Sequence, residues 1–326
     1  MKPYLVHMTD LFHPHGDPDD HFDLALAFAL HKLGYIELGR VICDYPPAHR
    51  AGDPALCAVA QLNEITGSDV RVSAAPADPD AQAAMVLNIL RTADRPVCFT
   101  VVGTTEHIAQ AIRLEPELFT EKCAGIYLAA GTGIETPGGV LEYNVKLHPS
   151  AFRTTLTAPC PVYWAPCYHT IVPGTDSAEK GGEYGSVYCI QQKELLNSLP
   201  DSLKKYFLYM LTRSGDPKYL RYLESPVDTE ALSVFGEQDR RLWSTPLLLS
   251  LAGIECDTYE YLPAEVQCSE DGHTSWTPAA DRNAPGCRYI FHIRHCDRQS
   301  DHSFDKTGAY REEMLRILRQ LLVRIG

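Results

Sequence analysis

The sequence predicts an α/β protein, a mostly parallel sheet flanked by helices with a helical and loop-rich C-terminal half. Three observations lead there. Short apolar or β-branched runs alternate with longer helical stretches through the first half, the pattern of successive β-α-β units of a Rossmann-like sheet. The 326 residues are 45% hydrophobic and 22% charged, a globular composition rather than a disordered or collagenous one. No linker or internal repeat divides the chain, so one domain over residues 1–326 is expected.

In order, the strand runs are Tyr4 to Met8, Arg40 to Cys43, Val70 to Ser73, Val97 to Val102, Gly125 to Ala129 and Val162 to Ala165. Between them lie helical stretches at His21 to Leu33, Pro54 to Thr66, Ala81 to Thr92, Glu106 to Leu114 and Pro149 to Leu156. Right-handed crossovers place such helices on both faces of one sheet, and ligands then bind beyond the carboxyl ends of the strands. After Ala165 the texture changes to a Gly-rich loop, then helices at Gln191 to Arg213 and Arg241 to Leu251. A polar stretch from Cys268 to Phe304 holds one strand, Arg288 to Ile293, and an amphipathic helix from Thr307 to Val323 closes the chain.

Lys plus Arg number 29 against 42 Asp plus Glu, a net charge of −13 that repels a phosphate backbone in the absence of a basic stripe. Nucleic acid is therefore excluded as an expected partner. The eleven cysteines contain no C-x-x-C pair, and several, such as Cys98, sit in apolar runs where a thiol behaves as a small buried hydrophobe. That usage fits a reducing cytoplasm. No apolar stretch approaches the ~20 residues that span a bilayer, and the apolar start at Tyr4 is too short for a signal peptide.

The densest chemistry lies between the first strand and the first helix, in Thr9-Asp10-Leu11-Phe12-His13-Pro14-His15-Gly16-Asp17-Pro18-Asp19-Asp20-His21-Phe22-Asp23. Asp10 ends the strand, Asp17 suits the N-cap, Pro18 the first helical position, and Asp19 and Asp20 the first turn. A helix dipole accommodates one or two such carboxylates at roughly 0.3–1 kcal/mol each, not five within fourteen residues. Their mutual repulsion asks for a cation. Clustered carboxylate oxygens suit Ca²⁺ or Mg²⁺, whereas the interleaved His13, His15 and His21 suit a softer metal. Capping with a solvated acidic turn explains an ordinary Asp pair; the strand-terminal Asp10 facing the helix start favours a metal.

These residues resemble the nucleoside hydrolases, which begin with a strand ending in Asp-x-Asp-Pro-Gly-x-Asp-Asp followed by an Ala-rich helix. Asp10 and Asp17-Pro18-Asp19-Asp20, followed by Leu24-Ala25-Leu26-Ala27-Phe28-Ala29-Leu30, look like an expanded version. The register continues through Tyr35 to Ile42, Val101 to Leu114 and Ile126 to Gly133. Glu142-Tyr143-Asn144-Val145, then His148-Pro149-Ser150-Ala151, is similar to the family's Glu-Phe-Asn and later Asp-Pro-x-Ala segment. The resemblance covers the first half of the chain in one order. It implies a Ca²⁺-dependent hydrolase, with Mg²⁺ or another divalent ion as the alternative, that cleaves the N-glycosidic bond of a ribonucleoside or related riboside. By the same resemblance Asp10 ligates the metal and accepts a proton from the attacking water, Asp20 also ligates it, and Asp19, Glu142 and Asn144 hold the ribose. A small-molecule substrate and a homo-oligomer are the expected partners. The residues agree in one respect of their own: two apart in an extended segment, Glu142 and Asn144 point the same way.

Three departures separate the chain from the family. Met8 stands at the family's first Asp, and the loop from Asp10 to Asp19 carries an insertion including His13-Pro14-His15. The family's His-Asp pair of the C-terminal third is replaced by Arg241-Leu242-Trp243-Ser244-Thr245-Pro246, which has neither residue. Asp44, at the carboxyl end of the second strand, is the candidate replacement metal ligand; a turn-initiating Asp ahead of Pro46-Pro47 is its other reading. The family's carbonyl ligand falls at Val102 to Thr104. Trp243, Tyr184 and Phe12 are candidates to stack on a base. Cys268, His273, Cys287, His292, His295 and Cys296 follow no zinc spacing. The competing readings are a sugar-binding protein without turnover and a metallohydrolase acting on another bond through His13 and His15.

Overall fold

Nine strands hydrogen-bond into one sheet, in the spatial order Thr274–Pro278, Tyr259–Cys268, Cys287–Ile293, Val162–Ala165, Cys123–Ala129, Val97–Val101, Tyr4–Thr9, Glu37–Cys43 and Arg71–Ala74. The computed structural model describes residues 2–14, 18–45, 52–136, 138–171, 179–180, 182–282, 287–294 and 308–326. Every pairing from Cys287–Ile293 to Arg71–Ala74 is parallel, and Tyr259–Cys268 runs antiparallel to both of its neighbours. The mostly parallel sheet read from the alternation is therefore present.

The first strand is buried from Leu5 to Thr9, as a parallel strand covered on both faces must be. Its buried imidazole, His7, sits with Nδ1 2.7 Å from Thr100 Oγ1 on the adjacent strand. Burial lowers that imidazole to about 4, so it stays neutral. Alternate strand residues feed two cores. Leu5, Val41 and Cys98 face one with the helices Asp20–Lys32, Leu56–Thr66, Asp201–Leu211, Thr245–Leu251 and Ala309–Leu322. Val6, Ile42 and Phe99 face the other with Pro79–Thr92, Glu106–Leu114 and Pro149–Leu156.

The helix Asp20–Lys32 is buried without a break from Asp20 to Leu30. Apolar on every side, it cannot lie at a surface, and it packs between the sheet and outer helices, with Phe22 stacked on Phe207 at 4.5 Å. Truncating one of its leucines to Ala would cost about 2–5 kcal/mol. That packing fixes the helix start, and with it Asp19 and Asp20, against the sheet.

The chain walks from Tyr4–Thr9 outward through Glu37–Cys43 to Arg71–Ala74, then returns to the other side of the first strand at Val97–Val101. This reversal opens a crevice at the carboxyl ends of the two central strands. The second half departs from expectation in three places. Tyr188–Gln191 is a strand, and the helix expected over 191–213 is two pieces, Lys193–Leu196 and Asp201–Leu211, because Pro200 cannot continue a helix. The helix expected from Arg241 starts at Thr245; Asp239–Leu242 instead pairs antiparallel with Tyr188–Gln191, forming a two-stranded ribbon. Within the stretch expected to hold one strand, Thr274–Pro278 pairs with Tyr259–Cys268, whose interior Pro263 masks the strand pattern.

Candidate functional site

Asp10 follows the last residue of the first strand, and Asp19 and Asp20 open the helix that packs beneath it, so the loop returns carboxyl groups to the strand end. Asp20 is 7% exposed and its carboxyl group hydrogen-bonds that of Asp10. Burial first, then the charges of Asp10 and Asp19, hold Asp20 well above the usual carboxylate range. Asp19 occupies the N-cap position with helical dihedrals and makes no side-chain cap hydrogen bond, so capping does not account for its carboxylate. The expected capping residue, Asp17, and the neighbouring His15 lie outside the described residues. Pro18 precedes the cap instead of opening the helix.

Glu142 and Asn144 reach the same crevice by a different route from the one expected. The segment is not extended: Glu142 caps the short helix Tyr143–Leu147. Its Oε1 accepts from Asn144 N at 2.9 Å, and its Oε2 from Gly131 N at 2.9 Å and Val145 N at 3.3 Å. Burial raises the Glu142 carboxyl while these three N–H groups oppose the shift. The result clamps the loop after Cys123–Ala129 to the helix that carries Asn144. Asn144 Oδ1 is buried and has no hydrogen-bond partner among the described residues.

Asp10, Asp19, Asp20, Glu142 and Asn144 share one cavity of about 580 Å³, within the roughly 300–1,000 Å³ of ordinary small-ligand sites. Val102 and Ala129, at the ends of two central strands, form part of its wall. Asp239, Arg240 and Arg241 of the ribbon, then Trp243 and Ser244, also border it. Trp243, expected as a stacking residue, borders the cavity, its ring edge-on to that of Tyr168 at 6.0 Å. Behind Ser244 lies Asp23, one helical turn from Asp20, pushed up to about 7 by burial while its hydrogen bond to Ser244 pulls the other way.

Asp44 adjoins Asp10 on another side. It borders a second cavity of about 220 Å³, together with Asp10, Thr104, Glu106, His107 and His148, and does not border the larger one. Its Oδ2 accepts from Thr104 N at 2.7 Å and its Oδ1 is 3.4 Å from His107 Nδ1. It stays close to Asp10 all the same: a Cβ on Gly103 would lie 2.3 Å from Asp44 Oδ2 and 2.9 Å from Asp10 Cβ. His13 points away: Nε2 is 2.6 Å from Ser214 O and the ring stacks on Tyr209 at 5.1 Å. Phe12 borders the smaller cavity, and Tyr184 packs against Trp276 and His292 away from both.

Five residues were not singled out by the sequence reading, although Gly103 falls within the Val102 to Thr104 stretch expected to hold a carbonyl ligand. Gly103 is required by space: a Cβ there would lie 2.3 Å from Asp44 Oδ2, 2.6 Å from Asp10 N and 2.9 Å from Asp10 Cβ. A glycine directly after a central parallel strand was the available signal. Arg241 was read as the start of a helix and Arg240 was not singled out; the pairing of Asp239–Leu242 with Tyr188–Gln191 places both beside the cavity. For Cys167 and Tyr168, also on the wall, nothing in their local sequence marks them.

Among the described residues, no group of three or more His, Cys, Asp or Glu side chains is arranged to hold a metal. The Asp10 and Asp20 carboxyl groups, hydrogen-bonded to one another, nonetheless form an all-oxygen donor pair in which Asp20 is buried and Asp10 half-buried. Such a pair fits a hard divalent cation that takes its remaining ligands from carbonyls, hydroxyls and water.

No protein-family model and no curated protein matches the chain. Solved structures do. An inosine-uridine preferring nucleoside hydrolase from Bacillus anthracis superposes with a TM-score of 0.54 at 14% identity, over 98% of this chain and 100% of that one. A plant nucleoside hydrolase, the PpNRh1 enzyme, gives 0.60 at 13% identity, over 99% and 100%. The type III effector protein XopQ, in complex with adenosine diphosphate ribose, gives 0.53 at 15% identity, over 99% and 95%.

Proposed function

We propose, from the premise that this chain has the nucleoside hydrolase fold, that it hydrolyses the N-glycosidic bond of a ribonucleoside or related riboside with the help of a divalent cation, Ca²⁺ or Mg²⁺. The observation that carries the reading is the hydrogen-bonded contact between the half-buried Asp10 and the buried Asp20 carboxyl groups at the sheet's reversal point, in one cavity with the unsatisfied Asn144 Oδ1.

In this reading Asp10 and Asp20 hold the cation, which when bound lowers the pKa of a water and so supplies the nucleophile at neutral pH. Asp10 accepts the proton of the attacking water. Asp19 and Asn144 take ribose hydroxyls; Asn144 Oδ1 gains on binding the donor it lacks. Glu142 is a positioning residue, because three backbone N–H groups already occupy most of its acceptor capacity. The gathered carboxylates favour the positive charge that develops on the sugar as the glycosidic bond breaks. Trp243 offers a flat face to the departing heterocycle.

One observation favours a second reading, a sugar-binding protein without turnover: the wall facing the base carries Trp243 and Ser244, neither of which is a general acid near neutral pH. A p-nitrophenyl riboside separates the two, since its leaving group departs unprotonated. The expected result is turnover that EDTA abolishes and added Ca²⁺ or Mg²⁺ restores, and that Asp10→Asn lowers by about 10²–10⁴ with Tm retained. Turnover indifferent to both EDTA and Asp10→Asn overturns the assignment. Tight riboside binding with no turnover in any divalent ion selects the binding protein.

A further inference from the structure

The acidic run that opens the first helix ends at Asp23, and the riboside reading gives that residue no task. Asp23 is 2% exposed, one helical turn from Asp20, and hydrogen-bonds Ser244. Its Oδ1 is buried and has no hydrogen-bond partner among the described residues. A buried polar atom left without a partner is costly, and one a single side chain removed from a cavity calls for a reason in the chemistry.

Ser244 makes the connection. It is 3% exposed, borders the larger cavity, and stands at the N-cap of the helix Thr245–Leu251. A serine there ordinarily turns its hydroxyl to the first backbone N–H groups; this one makes no such bond and is engaged by Asp23 instead. Its chain neighbour Trp243 borders the same cavity and is read above as facing the heterocycle, which puts the hydroxyl on the leaving-group side. Asp23 bears electrostatically on Asp20 of its own helix and on Tyr188, whose hydroxyl is 2.7 Å from Thr245 Oγ1. Burial pushes Asp23 up to about 7, so it still carries a proton near neutrality.

A heterocycle leaves a sugar readily when a proton reaches it as the bond breaks. We propose that Ser244, backed by Asp23, delivers that proton, and that the substrates are therefore nucleosides whose base departs protonated. As the C1′–N bond breaks, its electron pair goes to the base; the Ser244 O–H proton bonds to a nitrogen of the base, and the Asp23 O–H proton takes its place on Oγ. Asp23 is left as a carboxylate. With the proton of the attacking water on Asp10, one proton lost to solvent there and one regained at Asp23 restore the starting state. Ser244 is the group that touches the base; Asp23 acts through it as a positioning residue and proton source. The inference rests on the riboside reading above and deepens it, supplying the acid that Trp243 and Ser244 lack by themselves.

The test sets kcat for p-nitrophenyl riboside, whose leaving group needs no proton, against kcat for adenosine, inosine, cytidine and uridine, on the full chain with Ca²⁺ or Mg²⁺ added. In Asp23→Asn and in Ser244→Ala the ratio of nucleoside to p-nitrophenyl riboside kcat is expected to fall by about 10²–10⁴, with Tm held. Ser244→Ala carries the test if Asp23→Asn does not fold. The double variant is expected to lose no more than the worse single one, because two groups of one relay fail together. A ratio that stays at the parent's value overturns the relay, even where both rates drop, as damage to the fold would make them do. Losses that multiply in the double variant overturn it as well. Parent turnover of p-nitrophenyl riboside but of no nucleoside removes the relay and leaves the hydrolase; no turnover of either class of substrate removes both.

Discussion

Asp20 and Asp44 lie on different sides of Asp10 and are buried alike, 7% and 2% exposed, yet the protein treats them in opposite ways. Asp44 receives the Thr104 N–H and faces His107, so the fold itself supplies its partners. Asp20 is given another carboxyl group. A desolvated carboxylate beside a donor is a structural joint, whereas one beside a second carboxylate is an unfinished site that takes a proton or a cation. Burial alone does not distinguish the two cases; the identity of the neighbour does.

Gly103 stands where the two sides meet, and replacing it is expected to have the largest effect. In Gly103→Ala the new Cβ meets Asp10 backbone nitrogen and the Asp44 carboxylate at well under 3.0 Å, so the strand end must shift. Overpacking of this kind costs about 1–3 kcal/mol, and a displacement of about 1 Å at the reacting groups lowers kcat/KM by about 10²-fold. Gly215→Ala, where a Cβ meets nothing within 4 Å, is the control and leaves Tm and kcat/KM unchanged. A Gly103→Ala variant with the parent's Tm and kinetics would mean that the two aspartates are not locked together through this residue.

The comparison sharpens with a pair of substitutions of opposite sign, measured by urea unfolding at pH 7 in EDTA. Asp20→Asn removes a buried acid that is hard to ionise beside Asp10, and is expected to stabilise the cation-free protein by about 1–2 kcal/mol. Asp44→Ala strands the Thr104 N–H and is expected to destabilise it by about 1–3 kcal/mol. Two losses of similar size would make Asp20 a structural joint as well and remove the case for a cation.

What the sequence disclosed follows the same division between local and distant causes. Asp10, Asp19 and Asp20 are legible because strand, loop and helix are consecutive in the chain, and the burial of the helix is visible in the unbroken apolar run from Leu24 to Leu30. Asn144 was found by motif, although the extended geometry imagined for it is a capped helix. For Asp44, convergence of adjacent strand ends gives its place beside Asp10 but not which way the carboxylate turns; the Thr104 N–H, sixty residues away, donates to its Oδ2. Arg240 and Arg241 were not seen as site residues because their position depends on antiparallel pairing with Tyr188–Gln191, a contact no local pattern encodes.

The smallest expected effect is a difference in pH dependence. On the Asp20 side, Asp23 is pushed up to about 7, above the unfolded 3.8, so it favours folding most at low pH and that contribution is lost as pH rises through about 7. On the Asp44 side the sign reverses. His107 is lowered from 6.5 to about 4 by burial, with His148 adding to the shift, so the native imidazole stays neutral where the unfolded chain is already protonated. Its contribution is present above 6.5 and is lost as pH falls toward 4, amounting to an order of 3 kcal/mol there. His107→Gln removes that contribution, whereas His7, lowered to about 4 in the same way, remains in both proteins as a shared background. Urea unfolding at intervals from pH 7 to pH 4 should therefore show the variant losing stability less steeply than the parent, whatever its offset at pH 7. Parallel curves would mean that native His107 takes up its proton with an ordinary affinity. His107 and Asp44 would then form an ion pair, and the contrast between the two sides of Asp10 would be one of charge as well as of hydrogen bonding.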